Sequence, residues 1–90
     1  MILVSYDIAD NKLRTRFSKF LSKFGRRLQF SVYEIKNSAR ILENIATEIT
    51  NGFEKEFEET DSVYIFQMSN TCKITTFGYA KHEKDDFIIV

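Results

Sequence analysis

The sequence predicts an α+β fold in which one open sheet carries two helices on a single face. Three observations predict it. Period-two alternation recurs in four segments of the chain, helical spacing of apolar residues occurs in two others, and the order runs strand, helix, strand, helix, strands. Ninety residues suffice for one domain with one lean core, burying somewhat over about 60% of the surface an unfolded chain exposes. Nine Phe and four Tyr supply bulk for that core or for an interface.

Residues 2–8 open the chain as a strand, with Ile2, Val4, Tyr6 and Ile8 alternating against Leu3, Ser5 and Asp7. Asp10 or Asn11 then caps a helix, because a short side-chain oxygen accepts from the orphan amides of a first turn. Leu13, Phe17, Phe20, Leu21 and Phe24 form its apolar stripe. Gly25 is read as its stop, in left-handed geometry. Residues 28–35 alternate again, Leu28, Phe30 and Val32 against Gln29, Ser31 and Tyr33, as one bent strand or two short ones. Ser38 caps a second helix carrying Ile41, Ile45 and Ile49, with Leu42 and Ala46 alongside. It ends near Asn51-Gly52, or kinks there and continues through Phe53 and Phe57. Residues 63–68 and 73–79 read as strands joined by Ser69-Asn70-Thr71; 81–86 form a charged linker and 87–90 a short terminal strand.

Two helices cover one face of such a sheet. By alternation the other face carries Leu3, Ser5, Tyr33, Tyr64, Phe66 and Phe77, an apolar area large enough to need a partner. A homodimer closed by a two-fold axis through this face is the expected answer.

Cys72 is the only cysteine, which points to a reducing, cytoplasmic setting without intrachain disulfides. The apolar start Met1–Val4 meets Asp7 long before the roughly 18 apolar residues of a span, so no membrane anchor or leader is expected.

Net charge is zero but unevenly distributed: −2 over residues 1–10, +7 over 11–36, −5 over 37–62 and zero over the rest. Such asymmetry predicts one anion-seeking face. Its candidates are Lys12, Arg14, Arg16 and Lys19 on the first helix, then Arg26 and Arg27 beyond it. Lys12, Arg16, Lys19 and Lys23 fall within about 60° of one flank at about 100° per residue, with Arg14 on the other flank. An ordinary solvated helix face is the plain alternative. No acidic residue interrupts 11–33, however, and arginine grips phosphate in a bidentate manner.

Asp7 is the other candidate, at the C-terminal end of the first strand and on the face away from the core. A solvated or capping aspartate competes with a functional one. In a face-to-face dimer two copies of Asp7 approach, and a hard cation such as Mg²⁺ between them relieves their repulsion. His82 reads as a solvated linker residue, and Cys72 lacks any partner spacing for zinc. Phosphate-loop, dinucleotide and nucleophile–base motifs are missing from the sequence.

Together these residues resemble a known family. Tyr6-Asp7-Ile8 leads into a basic helix; after Gly25 comes Arg27-Leu28-Gln29-Phe30-Ser31-Val32-Tyr33-Glu34, and later the strand opening Asp61-Ser62-Val63. The chain is similar over nearly its whole length to the CRISPR-associated protein two family, the small subunit of the spacer-acquisition complex. The resemblance implies a ferredoxin-like open antiparallel sheet, a homodimer and a terminal strand that joins the partner subunit's sheet. It further implies a scaffold that bridges pairs of the CRISPR integrase subunit and lies along prespacer duplex DNA. For some members it implies a metal-dependent endonuclease acting on DNA or RNA, with the aspartate at position 7 holding Mg²⁺ between subunits as the catalytic and metal residue. The acidic run 54–59 belongs to no pattern in that resemblance.

Overall fold

The computed structural model describes residues 1–69 together with the strand positions 74–75 and 87–88. Four strands, β1 (Ile2–Asp7), β2 (Gly25–Gln29), β3 (Val32–Ile35) and β4 (Ser62–Gln67), form one sheet in the order β2-β3-β1-β4. Every pairing is antiparallel. Helices α1 (Asn11–Ser22) and α2 (Ala39–Glu48) follow β1 and β3, which gives the ferredoxin-like order βαββαβ. The short strands β5 (Ile74–Thr75) and β6 (Phe87–Ile88) pair with each other in parallel. The expected turn at 69–71, apart from Ser69, the charged linker and the side chain of Phe77 lie outside the described residues.

Asp10 is the cap of α1: its Oδ2 accepts from the Leu13 amide at 2.8 Å. The core is the predicted one on this side. Ile2, Val4, Tyr6 and Ile8 of the first strand and loop pack against Leu13, Phe17, Phe20 and Leu21 of α1 and Ile45 of α2. The second helix takes the kinked course. A π turn (Ile49–Phe53) follows α2 and then a short 3₁₀ turn (Glu54–Glu56). The wider turn brings Phe53 into the core, where its ring meets Phe17 edge-on at 5.0 Å.

Three expectations need correction. Gly25 does not stop the helix in a left-handed conformation. It begins β2, and its φ lies outside that region. Its role is close approach, since a Cβ there would stand 1.9 Å from the backbone oxygen of Glu34. Second, residues 28–35 divide between two strands, one of the two expected courses, joined at Phe30-Ser31 with an irregular register between Arg27 and Gln29, but they present the opposite faces. The alternation itself holds, with Leu28 and Val32 on one face and Tyr33 on the other, but its two faces are exchanged relative to the expectation. Tyr33 pairs with Val4 and is buried beneath α1, not on the open face. Third, Phe30 leaves the strand and is 88% exposed.

The open face therefore carries Leu3, Ser5 and Asp7 of β1, Tyr64 and Phe66 of β4, and Val32 and Glu34 of β3. Leu3 and Leu28 are buried there among Met1, Val32 and Met68. Tyr64 and Phe66 stack on each other at 6.2 Å and remain exposed. Among the described residues no helix is long and apolar enough to cross a membrane.

Candidate nucleic-acid interface

The basic segment divides into three parts once folded. Arg14, Lys19 and Arg27 converge on one groove between α1 and the β2–β3 connection, with a volume of about 540 Å³. Thr15, Ser18 and Ser31 add hydroxyls to its wall, and no carboxylate lines it. Arg16 faces the other flank and is taken by the acidic run. Its Nη1 and Nη2 donate to Glu56 Oε1 and Oε2 at 2.9 Å each, above the ring of Phe53. This fork pushes Arg16 further up and holds the Glu56 carboxyl below its usual value. Arg26 sits across the sheet from Arg27, because neighbouring strand residues point to opposite faces, and there it pairs with Glu34 at 3.0 Å. Lys12 is exposed and makes no ion pair among the described residues. The six cations that look like one track in sequence are thus a groove of three, a lone lysine and two arginines held by glutamates.

The groove is rigidly built. Arg14 donates through Nη1 to the carbonyls of Ile8 (3.0 Å) and Ala9 (3.2 Å), and through Nη2 to Asn11. It therefore closes the β1–α1 loop that follows Asp7. Arg27 donates Nε to the Tyr33 hydroxyl (3.2 Å) and Nη2 to Ser18 Oγ (2.8 Å). Ser18 Oγ is itself 2.5 Å from the Tyr33 oxygen. Burial alone would raise the Tyr33 phenol, but the hydrogen bonds of Ser18, Ser22 and Arg27 outweigh it and bring it below its ordinary value. Tyr6 is raised, chiefly by burial. Its hydroxyl donates to the Phe30 carbonyl at 3.1 Å, and its amide donates to the Ser31 carbonyl at 3.0 Å. Both bonds pin the turn that carries Phe30.

Asp7 lies apart from this groove, exposed at the end of β1 and opposite Ser62 of β4. Asp61 fixes its surroundings. Oδ2 of Asp61 accepts from the Glu58 amide (2.9 Å) and Oδ1 from the Ala9 amide (3.0 Å), and these two bonds, in that order, lower its pKa. The loop after Asp7 is thereby tied to the start of β4. No group of three or more His, Cys, Asp or Glu side chains gathers as a metal site among the described residues.

The family model for CRISPR associated protein Cas2 matches residues 1–76. The chain belongs to the Cas2 family. It is 28% identical to CRISPR-associated endoribonuclease Cas2 2 of Methanospirillum hungatei, over 98% of this chain and 97% of that one. It is 29% identical to CRISPR-associated endoribonuclease Cas2 1 of Synechocystis, over 100% and 99%. A crystal structure of a hypothetical protein, TT1823, from Thermus thermophilus superposes with a TM-score of 0.72 at 25% identity, covering 86% of this chain and 88% of that one. Streptococcus pyogenes Cas2 shares the fold at a TM-score of 0.65 and 21% identity, over 78% and 87%.

Residue patterns revealed the Cas2 fold but missed four side chains of the candidate interface. Ser18 and Tyr33, which hold Arg27, carry no motif. Phe30 looked like a strand residue because no Gly, Asn or Pro marks the turn. Glu56 lay in a run with no assigned role, although a run of −5 following one of +7 was itself a signal for pairing.

Proposed function

We propose that this Cas2-family chain is a dimeric, nucleic-acid-binding scaffold of CRISPR adaptation, which bridges integrase subunits and holds prespacer duplex DNA. The observation that carries this reading is the carboxylate-free groove of Arg14, Lys19 and Arg27. Arginines held in place by hydroxyls and backbone carbonyls, beside Lys19 and with no acidic partner, suit phosphates that arrive from outside. Dimerisation is supported by the open sheet face, where Tyr64 and Phe66 are exposed beside the buried Leu3–Leu28 cluster. A second copy would cover them.

A second reading, a metal-dependent endoribonuclease, is favoured by the names of the relatives and by Asp7 standing exposed at the strand end. One chain's donor set fits Mg²⁺ only if a second copy brings its own Asp7, since two carboxylates plus waters suit that ion. When bound there, the ion would supply Lewis-acid stabilisation of a phosphoryl oxygen and an activated water. Asp7 would hold it, Asp61 would keep the adjoining loop in register, and the arginine groove would position the backbone.

Salt titration of duplex binding tests the scaffold reading. Each phosphate neutralised adds about 0.9 to the log–log slope. Lys12→Ala with Lys19→Ala removes two cations that make no ion pair among the described residues, and it should flatten the slope by up to about two units on unrelated sequences alike. Arg16→Ala should change it less, because Glu56 already neutralises that guanidinium. The same samples should sediment as dimers at micromolar concentration. An unchanged slope in the double variant would mean that this helix does not meet the backbone.

A further inference from the structure

We propose that the groove beside Phe30 is a seat for an unpaired nucleotide, with the base stacked on the Phe30 ring and the phosphate against Arg14, Lys19 and Arg27. This rests on the nucleic-acid-binding reading above and adds to it one residue, Phe30, as the platform on which an unpaired base stacks.

Phe30 is the most exposed large apolar side chain among the described residues, at 88%. A ring there contributes little to the core, and water gains nothing from its presence. Its backbone, by contrast, is held firmly. The Phe30 carbonyl accepts from the Tyr6 hydroxyl, and the neighbouring Ser31 carbonyl accepts from the Tyr6 amide. Tyr6 itself is anchored in the core against Phe17, ring to ring at 5.0 Å. The fold thus presents an open aromatic face on a fixed support.

The charge beside it is equally fixed. The Arg27 guanidinium lies 5.8 Å from the Phe30 ring centre and 5.7 Å from that of Tyr33. Nε and Nη2 are committed to Tyr33 and Ser18, which leaves the Nη1 edge for a ligand. Arg14 and Lys19 complete the cationic wall, with Thr15 and Ser31 as further donors. The volume of about 540 Å³ falls within the range of roughly 300–1,000 Å³ typical of small-ligand sites.

A π face next to a cluster of cations is the pairing that single strands use, bases on aromatics and phosphates on the charges. A base inside a duplex cannot reach such a ring, because both of its faces are stacked; only unpaired bases and the outer face of a terminal pair are open to it. Complementarity of charge selects this occupant over an apolar peptide, which would leave three cations buried and unpaired.

The test uses the full chain and two DNA probes of common sequence, a blunt duplex and one with a short single-stranded overhang containing 2-aminopurine. The overhang duplex is expected to bind more tightly, with 2-aminopurine fluorescence quenched on binding. Phe30→Ala should weaken overhang binding about five- to a hundred-fold while leaving the blunt duplex unchanged, and Phe30→Trp should retain it. Because Phe30 is exposed, the variants should fold, and circular dichroism confirms it. Equal overhang binding by Phe30→Ala and wild type would overturn the proposal, as would equal losses on both probes. Loss of integrase-subunit binding alone, with overhang binding intact, would make Phe30 a protein contact and likewise overturn it. Blunt binding without any overhang advantage sinks this inference only; failure of the wild type on both probes sinks the nucleic-acid reading with it.

Discussion

Phe17→Ala is expected to cost about 3–5 kcal/mol, the largest loss of any single truncation among the described residues. The ring is fully buried and meets Tyr6 at 5.0 Å, Phe20 at 5.9 Å, Phe53 at 5.0 Å and Phe57 at 6.3 Å. It thereby joins β1, α1 and the π turn after α2 in one aromatic cluster. Removing it leaves a cavity that those rings cannot collapse to fill, since each is also tied to other elements. A natural domain of this length has a total stability of roughly 5–13 kcal/mol, so the variant should keep only a fraction of it. Urea unfolding followed by circular dichroism should show a much lower midpoint with an unchanged slope. Phe17→Leu, which retains most of the volume, should lose clearly less. Equal stability of Phe17→Ala and wild type would mean that the aromatic cluster is not the core.

Gly25→Ala is expected to be nearly as damaging for a different reason. The new Cβ would lie 1.9 Å from the Glu34 carbonyl oxygen and 2.8 Å from the Ile35 Cα. Both obstacles are backbone, so no rotamer change relieves them, and the start of β2 must pull away from β3 at a cost of about 3 kcal/mol or more. The loss is local in origin. Hydrogen exchange should accelerate first at the β2–β3 amides, and the Arg26–Glu34 pair spanning that register should come apart. Gly52→Ala is the control, for a Cβ there meets nothing within 4 Å. It should be neutral or stabilising by about 0.4–1 kcal/mol. If both alanine variants behave alike, close strand approach is not why Gly25 stands where it does.

How far the residues alone could be read depends on where local patterns compete with tertiary ones. Alternation placed β1 and β4 correctly, and the stripe Leu13–Phe24 placed α1, because each of those segments has one unbroken period. At Leu28–Tyr33 the period holds but does not say which face is the core. There Leu28 and Val32 share one face and Tyr33 takes the other, but the aliphatic pair lies on the open face while Tyr33, with its hydroxyl bonded to Ser18, enters the core. The site was legible in composition but not in geometry. Seven successive units of positive charge predicted a basic face, yet neighbours such as Arg26 and Arg27 separate to opposite sides of a strand. Only pairing across 40 residues removes Arg16 from that face. The groove depends on Ser18 and Tyr33, ordinary residues whose role follows from their placement around Arg27.

Scaffold and enzyme part at Asp7. Asparagine is nearly the same size, so Asp7→Asn should leave the sheet, the dimer and the arginine groove undisturbed, while removing the negative charge on which cation binding and any water activation depend. The deciding measurement is spacer acquisition by the Asp7→Asn chain together with its integrase subunit, run beside sedimentation and duplex binding to prove the variant intact. A scaffold predicts acquisition at the wild-type level. Loss of acquisition while dimer and DNA binding persist would contradict the scaffold and put the nuclease in its place.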